Sequence, residues 1–434
     1  MPSFKYIPED LSQQFYNTLW NSLGQVSLPD WLLNGVTTPQ PITRTERVQG
    51  LAQIWAEARV SFAYWERLSD LDWDGAFREY LPQVEAAEDP AQYYRLLQGF
   101  VRLLDEGHSY VAPPAWLLAQ QVPPPLAVRY IEGEPVVSRG DLLPVGTVIT
   151  QVDGRPAAEC LAEAVRLVFG STDHDRINRA CGRLLVGPKD STVEVGIRSA
   201  DGTTSSVKLR RTGFLPARPS FERHDLGQGR VLIRINTWTD AKVVDQFHET
   251  FPDFAGVSGL IIDQRYNGGG NSAYAEQIFG RLIDQPVHFE ADASPLYWGA
   301  MRFAGLHHLM LVTPEQPVQP DASRPRFTGP VVILTSNSTF SSAETFCMMV
   351  RCSGRATIVG ETTGGSSGNP AVFQLPGGGI GAVSGMKVSF PDGTPLIGVG
   401  VVPDIPAAPT IAGLAAGRDE VLERALAVLD AAGA

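Results

Sequence analysis

Apolar residues along this chain change their spacing at about residue 120 and again at about residue 215, and each spacing predicts a different architecture. Before the first change, apolar positions recur at the intervals of one buried helix face. Examples are Leu51, Ile54, Trp55 and Ala58, and later Tyr94, Leu97, Phe100, Val101 and Leu104. The sequence therefore predicts a helical region over residues 1–120.

The middle of the chain carries short apolar runs separated by turn signals such as Asp153-Gly154. Such runs, bounded by Gly, Asp and Pro, are typical of strands joined by tight turns. We therefore predict a β-rich module over residues 121–215. Its predicted strands are Pro135–Val137, Thr147–Val152, Val193–Ile197 and Ser206–Leu209, and its predicted helix is Ala157–Val168.

After about residue 229, apolar strands alternate with amphipathic helices. This alternation predicts βαβ units with a largely parallel sheet, and so an α/β fold for residues 216–434. The predicted strands are Arg230–Ile235, Gly259–Asp263 and Val331–Thr335, and the predicted helices are Ala241–Phe251, Ser272–Leu282, Ser342–Val350 and Arg418–Leu429.

Charge and composition narrow the classes of function. The net charge of -12 argues against a nucleic-acid partner, because affinity for the phosphate backbone comes from clustered Lys and Arg. No apolar run approaches the ~20 residues that a membrane span needs. The first residues lack the apolar stretch of a signal peptide, so we expect a cytoplasmic protein, with an exported protein that has lost its signal as the alternative. The cysteines have no zinc-ligand spacing; they are Cys160, Cys181, Cys347 and Cys352.

Ser341 lies where a predicted strand meets a predicted helix, in the run V-V-I-L-T-S-N-S-T-F-S-S-A-E. A serine at such a junction is exposed above the sheet edge and close to the positive end of the helix dipole, where an oxyanion is stabilised. The same residues fit a capping box, with Ser341 at the N-cap and Glu344 at the third helical position. Both interpretations are open at this point.

Three consecutive glycines, Gly268 to Gly270, follow the predicted strand Gly259–Asp263. Their amide groups could hold an anion at a helix N-terminus. Gly268, Gly270 and Ala273 also satisfy the dinucleotide-binding pattern G-x-G-x-x-A, with Glu290 about where a ribose-binding acid is expected. A plain strand-to-helix turn explains the glycines equally well, and the pattern alone does not choose among the three.

His108 follows an amphipathic helix, in the run L-L-D-E-G-H-S-Y-V, and a lone histidine is more often structural than catalytic. His307-His308 suggests a metal at first sight, but adjacent side chains point in different directions and no carboxylate has a matching spacing. The run G-E-T-T-G-G-S-S-G lacks the lysine of a phosphate loop. We therefore expect neither a metal ion nor a cofactor.

Taken together, these segments resemble those of the superfamily of C-terminal processing (tail-specific) proteases and tricorn protease. The resemblance covers most of the chain from about Trp55 onward, with six motifs in the order that the superfamily has. They are L-D-E-G-H-S-Y-V, G-D-L-L-P-V-G-T-V-I-T-Q-V-D-G, D-Q-R-Y-N-G-G-G, S-S-A-E, G-E-T-T-G-G and G-V-V-P-D-I.

The resemblance implies a crotonase-like α/β catalytic core over residues 216–434, a PDZ-like domain over residues 121–215 and a helical region before them. It implies that Ser341 is the nucleophile of a serine peptidase, with the amides of Ser342 and Gly269 as the oxyanion hole. The substrate would be a peptide or protein, which the PDZ-like domain would capture as an added strand. A homo-oligomer is compatible with this.

Two alternatives to the peptidase stay open. Retinoid-binding members of the superfamily are not catalytic, so a peptide- or lipid-binding protein on the same scaffold is one alternative. The chemistry of acyl transfer is shared with hydrolases of small molecules, so a small-substrate esterase or amidase is the other.

The chain departs from the tail-specific branch, whose lysine base lies where this chain has Ser366. It resembles instead the branch in which a histidine from the N-terminal part activates the serine, and His108 matches that position. In tricorn-like members a serine directly before the histidine and a glutamate before G-V-x-P-D orient the histidine. Here those places are Gly107 and Ile397, and we predict Glu361 as the substitute acid.

Overall fold

The computed structural model describes residues 5–7, 11–12, 36–314 and 316–432 of the chain. Its helices, numbered in chain order, are α1 (Arg44–Ser61), α2 (Trp73–Glu85), α3 (Pro90–Arg102), α4 (Ala115–Leu118), α5 (Ala157–Val165), α6 (Asp173–Arg183), α7 (Lys242–Thr250), α8 (Ser272–Phe279), α9 (Ser342–Ser353), α10 (Ile411–Ala415) and α11 (Glu420–Ala432). Short 3-10 helices span Trp65–Leu68 and Gly299–Ala304.

The strands are β1 (Lys5–Ile7), β2 (Tyr110–Ala112), β3 (Gln121–Val122), β4 (Leu126–Ile131), β5 (Glu134–Gly140), β6 (Val148–Val152), β7 (Arg155–Pro156), β8 (Gly187–Pro188), β9 (Thr192–Arg198), β10 (Thr204–Arg210), β11 (Phe221–Asp225), β12 (Arg230–Ile235), β13 (Gly259–Asp263), β14 (Ala291–Tyr297), β15 (His308–Val312), β16 (Val331–Thr335), β17 (Thr357–Gly360), β18 (Pro370–Leu375), β19 (Gly379–Ser384), β20 (Lys387–Ser389) and β21 (Ile405–Pro406).

The central sheet has six strands in the order β11-β12-β13-β16-β17-β21. The first pair is antiparallel and the other neighbours are parallel. In register, Ile262 of β13 lies beside Ile333 of β16, and Leu334 lies beside Val359 of β17. Because parallel strands end at the same edge of a sheet, the loops after β13, β16 and β17 meet at one place.

Both faces of the central sheet are covered. Ile262 and Ile333 belong to the main hydrophobic core together with Phe346 of α9. Ile261 and Leu334 point to the other face, where they pack with apolar residues of α11. Burial on both faces explains why these strands are continuous apolar runs in the sequence.

Residues 126–210 contain a second sheet, in the order β10-β9-β6-β5-β4, with β7 beside β6. Its neighbouring strands are antiparallel. The sheet and helices α5 and α6 enclose a hydrophobic cluster of their own, to which Val137, Leu161 and Val193 belong. Sequence analysis missed α6 because its sequence, D-H-D-R-I-N-R-A-C-G-R, is largely polar and buries a narrow apolar strip of Ala180 and Cys181.

Helices α1 and α3 pack against the α/β part of the chain. Leu51 of α1 and Phe100 of α3 belong to the same hydrophobic cluster as Ile262 of the central sheet. The remaining strands form a four-stranded sheet (β1-β15-β14-β20), a three-stranded sheet (β18-β19-β2) and a two-stranded sheet (β3-β8). No helix in the described ranges is long and apolar enough to cross a membrane.

The predicted strands Arg230–Ile235, Gly259–Asp263 and Val331–Thr335 are confirmed with the same bounds. The predicted helix Ala157–Val168 is confirmed but ends at Val165. Sequence analysis missed the antiparallel pairs β14–β15 and β18–β19. The last of these contains Gly379 and Gly381, and glycines in a strand weaken its sequence signal.

Candidate active site

Ser341 occupies the turn between β16 and α9, as the sequence predicts. Its backbone has φ 56° and ψ -127°, a left-handed conformation that a residue other than glycine adopts only where the surroundings enforce it. The Ser341 N–H donates to the Ser366 carbonyl at 2.9 Å and to Glu344 Oε2 at 3.2 Å. The Glu344 N–H donates to the Ser341 carbonyl at 2.7 Å. Glu344 therefore caps the helix through the Ser341 backbone, while the Ser341 hydroxyl contacts a histidine.

That histidine is His108, whose Nε2 lies 3.0 Å from Ser341 Oγ. The two residues are 233 positions apart in the chain. The pairing of β2 with β19 anchors the segment that carries His108, because β2 begins two residues after His108 and Val111 lies beside Gly381. The imidazole also stacks on the ring of Phe340, with 5.0 Å between centroids. The predicted pair of serine and histidine is thus in direct hydrogen-bond contact.

The other ring nitrogen of His108 contacts a residue from a third segment. Nδ1 lies 2.7 Å from Ser366 Oγ, and Ser366 Oγ donates to Glu106 Oε1 at 2.5 Å. Both Ser366 and Glu106 are buried. Ser341, His108, Ser366 and Glu106 therefore form a continuous chain of side-chain hydrogen bonds.

Glu106 is a buried carboxylate surrounded by donors. Its Oε2 accepts the backbone N–H of His108 at 2.7 Å and the Ser109 hydroxyl at 3.3 Å, and its Oε1 accepts the Ser171 hydroxyl at 3.4 Å. Burial by itself would raise the pKa of Glu106, but the hydrogen bonds from His108 and Ser366 and the charge of His108 outweigh it. The pKa of Glu106 is therefore below its ordinary value, and the group is held as a carboxylate.

Glu361, the acid that the sequence suggested, lies elsewhere. Its carboxylate pairs with Arg129 at 2.7 Å and accepts from Asn337 Nδ2 at 3.4 Å. The structure brings Glu106 and not Glu361 to His108. Glu106 is present in the sequence run D-E-G-H. The sequence did not single it out, because the direction of a side chain two residues before a histidine depends on the folded backbone.

Gly107 explains why the linking serine comes from another segment. A Cβ at Gly107 would lie 2.8 Å from both Cβ and Oγ of Ser366. A side chain at position 107 and Ser366 would therefore compete for the same volume. The Gly107 N–H donates to Ser171 Oγ at 2.9 Å. Ile397, the other place compared with tricorn-like members, is buried and apolar.

Glu344 connects the turn of Ser341 to the loop that carries Ser366. Its Oε1 accepts the Thr363 hydroxyl at 2.5 Å and the Gly365 N–H at 2.7 Å, and its Oε2 accepts the Ser366 N–H at 2.9 Å. Burial raises the pKa of Glu344 to about 8, and the donors around it offset only part of that effect. Glu344 thus helps to hold Ser366 beside Ser341, together with the direct hydrogen bond from the Ser341 N–H to the Ser366 carbonyl.

The glycine loop after β13 lies against Ser341. Gly269 has φ 95°, and a Cβ there would lie 2.6 Å from Ser341 Cβ and 3.0 Å from the Ser342 nitrogen. The Gly269 N–H donates to Asn267 Oδ1 at 2.9 Å. Ser342 is the first residue of α9, where backbone N–H groups have no acceptor within the helix. Gly269 and Ser342 are therefore neighbours beside Ser341.

A cleft of about 440 Å³ opens beside the Ser341 and His108 side chains. Its walls come from the segment around His108, the loops after β13 and β16, and helix α6 of the second sheet. The lining residues are Gly107, His108, Tyr110, Phe169, Asp175, Asn178, Arg179, Tyr266, Gly268, Ser338, Phe340 and Ser341. The cleft gives a substrate direct access to the Ser341 hydroxyl.

The chain is similar in sequence to known peptidases. Residues 231–407 match peptidase family S41. A chloroplastic C-terminal processing peptidase of Tetradesmus obliquus is 25% identical over 77% of this chain and 72% of its own length. A carboxyl-terminal-processing protease of Picosynechococcus sp. is 24% identical over 59% of each chain.

The fold is also that of solved proteases. The crystal structure of mature CPAF superposes with a TM-score of 0.71 at 17% identity and covers 89% of this chain and 96% of that one. At this identity the likeness concerns the fold alone. The peptidase activity is inferred from the sequence matches and not from the fold. The sequence matches therefore indicate a serine peptidase that is similar, over residues 231–407, to peptidase family S41.

Proposed function

We propose that the peptidase works through a Ser341 acyl-enzyme, with His108 as the general base and with Ser366 and Glu106 orienting it. The observation that carries the proposal is the unbroken hydrogen-bond chain from Ser341 Oγ through His108 and Ser366 to Glu106. A nucleophile, a base in hydrogen-bond reach and a group that orients the base are the parts that acyl transfer requires.

The hydrogen bonds fix which nitrogen of His108 can accept a proton. The Ser366 hydroxyl has one proton, and it donates that proton to the Glu106 carboxylate. Ser366 Oγ must therefore accept from His108, so Nδ1 carries the imidazole proton. Nε2 is then an acceptor that faces the Ser341 hydroxyl, which is the arrangement that general-base catalysis needs.

The reaction proceeds in two halves. Ser341 Oγ attacks the substrate carbonyl carbon while its proton passes to His108 Nε2, and the carbonyl oxygen becomes an oxyanion. The imidazolium then gives that proton to the leaving nitrogen, the C–N bond breaks, and an ester remains on Ser341. Water attacks the ester with the help of the same imidazole, which releases the acid and restores the Ser341 hydroxyl.

The oxyanion would be held by backbone amides, as in other acyl transferases. The Ser342 N–H, at the positive end of the α9 dipole, is the first donor. The Gly269 N–H, which donates to Asn267 Oδ1 at 2.9 Å, is the second donor. The close approach of Gly269 to Ser341 supports this assignment.

The histidine branch of the superfamily fits this chain better than the lysine branch. Ser366, at the place of the lysine base, contacts Nδ1 of His108 and leaves Nε2 to Ser341. The acid comes two residues before the histidine and the serine lies at the place of the lysine base, so neither occupies the position that it has in the tricorn-like pattern. The resulting set of four groups is the same.

The domain assignment is part of the proposal: a helical region over residues 1–120, a PDZ-like domain over residues 121–215 and a crotonase-like core over residues 216–434. Residues 1–4, 8–10 and 13–35 of the first region lie outside the described residues. The second sheet has a hydrophobic cluster of its own, which supports treating residues 121–215 as a separate domain. Its edge strands, β4 and β10, are where an extended substrate peptide would add as a further strand.

A fluorophosphonate probe followed by mass mapping tests the proposal. The wild-type chain should be labelled at Ser341, and Ser341→Ala should lose both labelling and peptide hydrolysis while keeping its circular dichroism spectrum. Ser353→Ala, at the other end of the same helix, is the matched control and should be labelled normally. Labelling of a different serine, or peptide hydrolysis by Ser341→Ala, would contradict the proposal. Hydrolysis of esters without cleavage of peptides would favour the esterase alternative.

A further inference from the structure

We infer that Arg179, on helix α6, is the residue that binds a carboxylate of the substrate in the cleft beside Ser341. The inference deepens the proposed peptidase and rests on it for the identity of the nucleophile. Among the residues that line the cleft, Arg179 is the single Lys or Arg, and Asp175 is the single carboxylate. A substrate group of negative charge therefore has one cationic partner available in this cleft.

Two aromatic rings and one carboxylate hold the guanidinium in place. Its Cζ lies 4.4 Å from the centroid of the Phe340 ring and 4.5 Å from that of Phe169. Its Nε donates to both oxygens of Asp175, at 2.7 and 2.8 Å. An arginine packed on aromatic rings is preorganised, so it loses little entropy when it binds a second partner.

The Nη1 and Nη2 nitrogens of Arg179 remain for that second partner. In the part of the chain that the structure describes, Asp175 accepts from Nε and no group accepts from the Nη nitrogens. The Arg179 side chain keeps 27% of its surface exposed, whereas the Asp175 side chain keeps 2%. A guanidinium edge that faces a cleft matches the two oxygens of a carboxylate.

The position of Arg179 is coupled to the nucleophile. Phe340, on which the guanidinium packs, precedes Ser341 and stacks on His108. Asn178, the neighbour of Arg179 in α6, donates to Asn337 Oδ1 at 3.0 Å and to Ser338 Oγ at 2.7 Å. Helix α6 is thereby attached to the loop that leads into Ser341. A carboxylate bound at Arg179 would accordingly fix the substrate close to the bond that is cut.

The substrate class that follows is a peptide with a carboxylate near the scissile bond. That carboxylate is either the C-terminus of the peptide or an Asp or Glu side chain, because both present the same pair of oxygens. The aromatic side chains of Tyr110, Phe169 and Tyr266 in the same cleft favour an apolar residue next to it.

Binding to the catalytically silent variant Ser341→Ala tests the inference without requiring turnover. Three probes are titrated by calorimetry: acetyl-Ala-Ala-Phe as the free acid, the same peptide as its C-terminal amide, and acetyl-Ala-Glu-Phe amide. We expect the free acid, the Glu-containing amide or both to bind at least tenfold more tightly than the neutral amide. Tighter binding of the free acid would identify the carboxylate as the peptide C-terminus, and tighter binding of the Glu-containing amide would identify it as an acidic side chain.

A second substitution then assigns the effect to Arg179. Arg179→Gln should weaken binding of the carboxylate probe roughly 10- to 100-fold, as expected for a charged hydrogen-bonded pair, and leave the neutral amide unchanged. Arg179→Lys should recover part of the loss, because lysine keeps the positive charge. The recovery should be incomplete, because an ammonium group lacks the planar pair of donors with which arginine binds both oxygens of a carboxylate. The exposed Arg166→Gln is the control and should behave as the parent variant.

Two results would overturn the inference. One is equal affinity of the acid probes and the neutral amide, including no binding of any probe. The other is an equal loss for all probes in Arg179→Gln, which would mean that Arg179 only holds α6 in place. Failure of the proposed function looks different, since it appears as absent labelling of Ser341 in the wild-type chain with fluorophosphonate.

Discussion

Ser366 Oγ lies 2.7 Å from Nδ1 of His108, although the two residues are 258 positions apart in the chain. The side chain of Glu344 accepts the N–H groups of both Ser366 and Ser341, and the Ser341 N–H also donates to the Ser366 carbonyl, so Ser366 is held against the turn of Ser341. The Ser366 hydroxyl connects the buried Glu106 carboxylate to the His108 imidazole through two hydrogen bonds. It orients the imidazole and takes no direct part in bond formation. Ser366 is thus a positioning residue in the proposed mechanism.

The first prediction concerns the base. His108→Ala should lower kcat for peptide hydrolysis by roughly 10²- to 10⁴-fold, the usual contribution of general acid–base catalysis, because Ser341 loses its proton acceptor. Steady-state hydrolysis of a fluorogenic peptide measures the loss. His224→Ala, on the half-exposed surface of β11, is the control and should keep normal kcat. A kcat within threefold of wild type in His108→Ala would refute the role of His108.

The second prediction concerns the groups behind the base. Glu106→Gln and Ser366→Ala should each lower kcat with little change in KM, and the double variant should lose no more than the worse single variant. The reason is that the two residues act through one hydrogen-bond chain, so their effects are not additive. A double-mutant cycle on kcat measures the coupling.

Glu361→Gln is the matched control for that cycle. Its carboxylate pairs with Arg129 and not with His108, so the variant should keep kcat within about tenfold of wild type. Additive losses in the Glu106 and Ser366 cycle, or a larger loss in Glu361→Gln than in Glu106→Gln, would return the orienting role to Glu361.

The third prediction concerns the glycine loop. Gly269→Ala should slow fluorophosphonate labelling of Ser341 by more than tenfold, because the new Cβ would lie 2.6 Å from Ser341 Cβ. Gly256→Ala is the matched control, since Gly256 also has positive φ but a Cβ there meets no atom within 4 Å. The control should lose about 1–2 kcal/mol of stability from the left-handed backbone and keep its labelling rate. Equal labelling rates in the two variants would contradict the prediction.

The fourth prediction concerns stability against pH. Burial raises the pKa of Asp292, and burial and the neighbouring Asp292 raise that of Glu290. A carboxyl with a raised pKa in the folded state binds its proton more tightly there than in the unfolded state. Its contribution to the free energy of unfolding is therefore full below the unfolded pKa of about 4 and is lost as the pH rises through the folded value.

Asp292→Asn should reduce the loss of unfolding free energy that occurs as the pH rises. Urea unfolding from pH 5 to pH 8.5 should show wild-type stability declining with pH, at about 1.4 kcal/mol for each unit by which the pKa is raised. The variant should decline less and be the more stable protein at pH 8. Asp70→Asn, on the exposed surface, should follow the wild-type curve. Parallel curves for Asp292→Asn and the wild type would show that this carboxyl does not cause the decline.

The sequence by itself determined the α/β order of the chain and the position of Ser341. Strands that are buried on both faces are continuous apolar runs, so β12, β13 and β16 could be read with their bounds. The strand-to-helix junction then placed Ser341 at the sheet edge, and the order of six motifs indicated the superfamily. The strands and the strand-to-helix junction are local features, because each depends on residues within about 15 positions of one another.

Only the tertiary structure decided which groups stand behind His108. Glu106 and Ser366 are 260 positions apart, and their contact requires the β2–β19 pairing and the buried Glu344 at once. The sequence offered Glu361 because it lies in a loop of the same motif region, but its side chain faces Arg129 of the second sheet. The direction of a side chain depends on how distant segments pack, and a motif does not encode that packing.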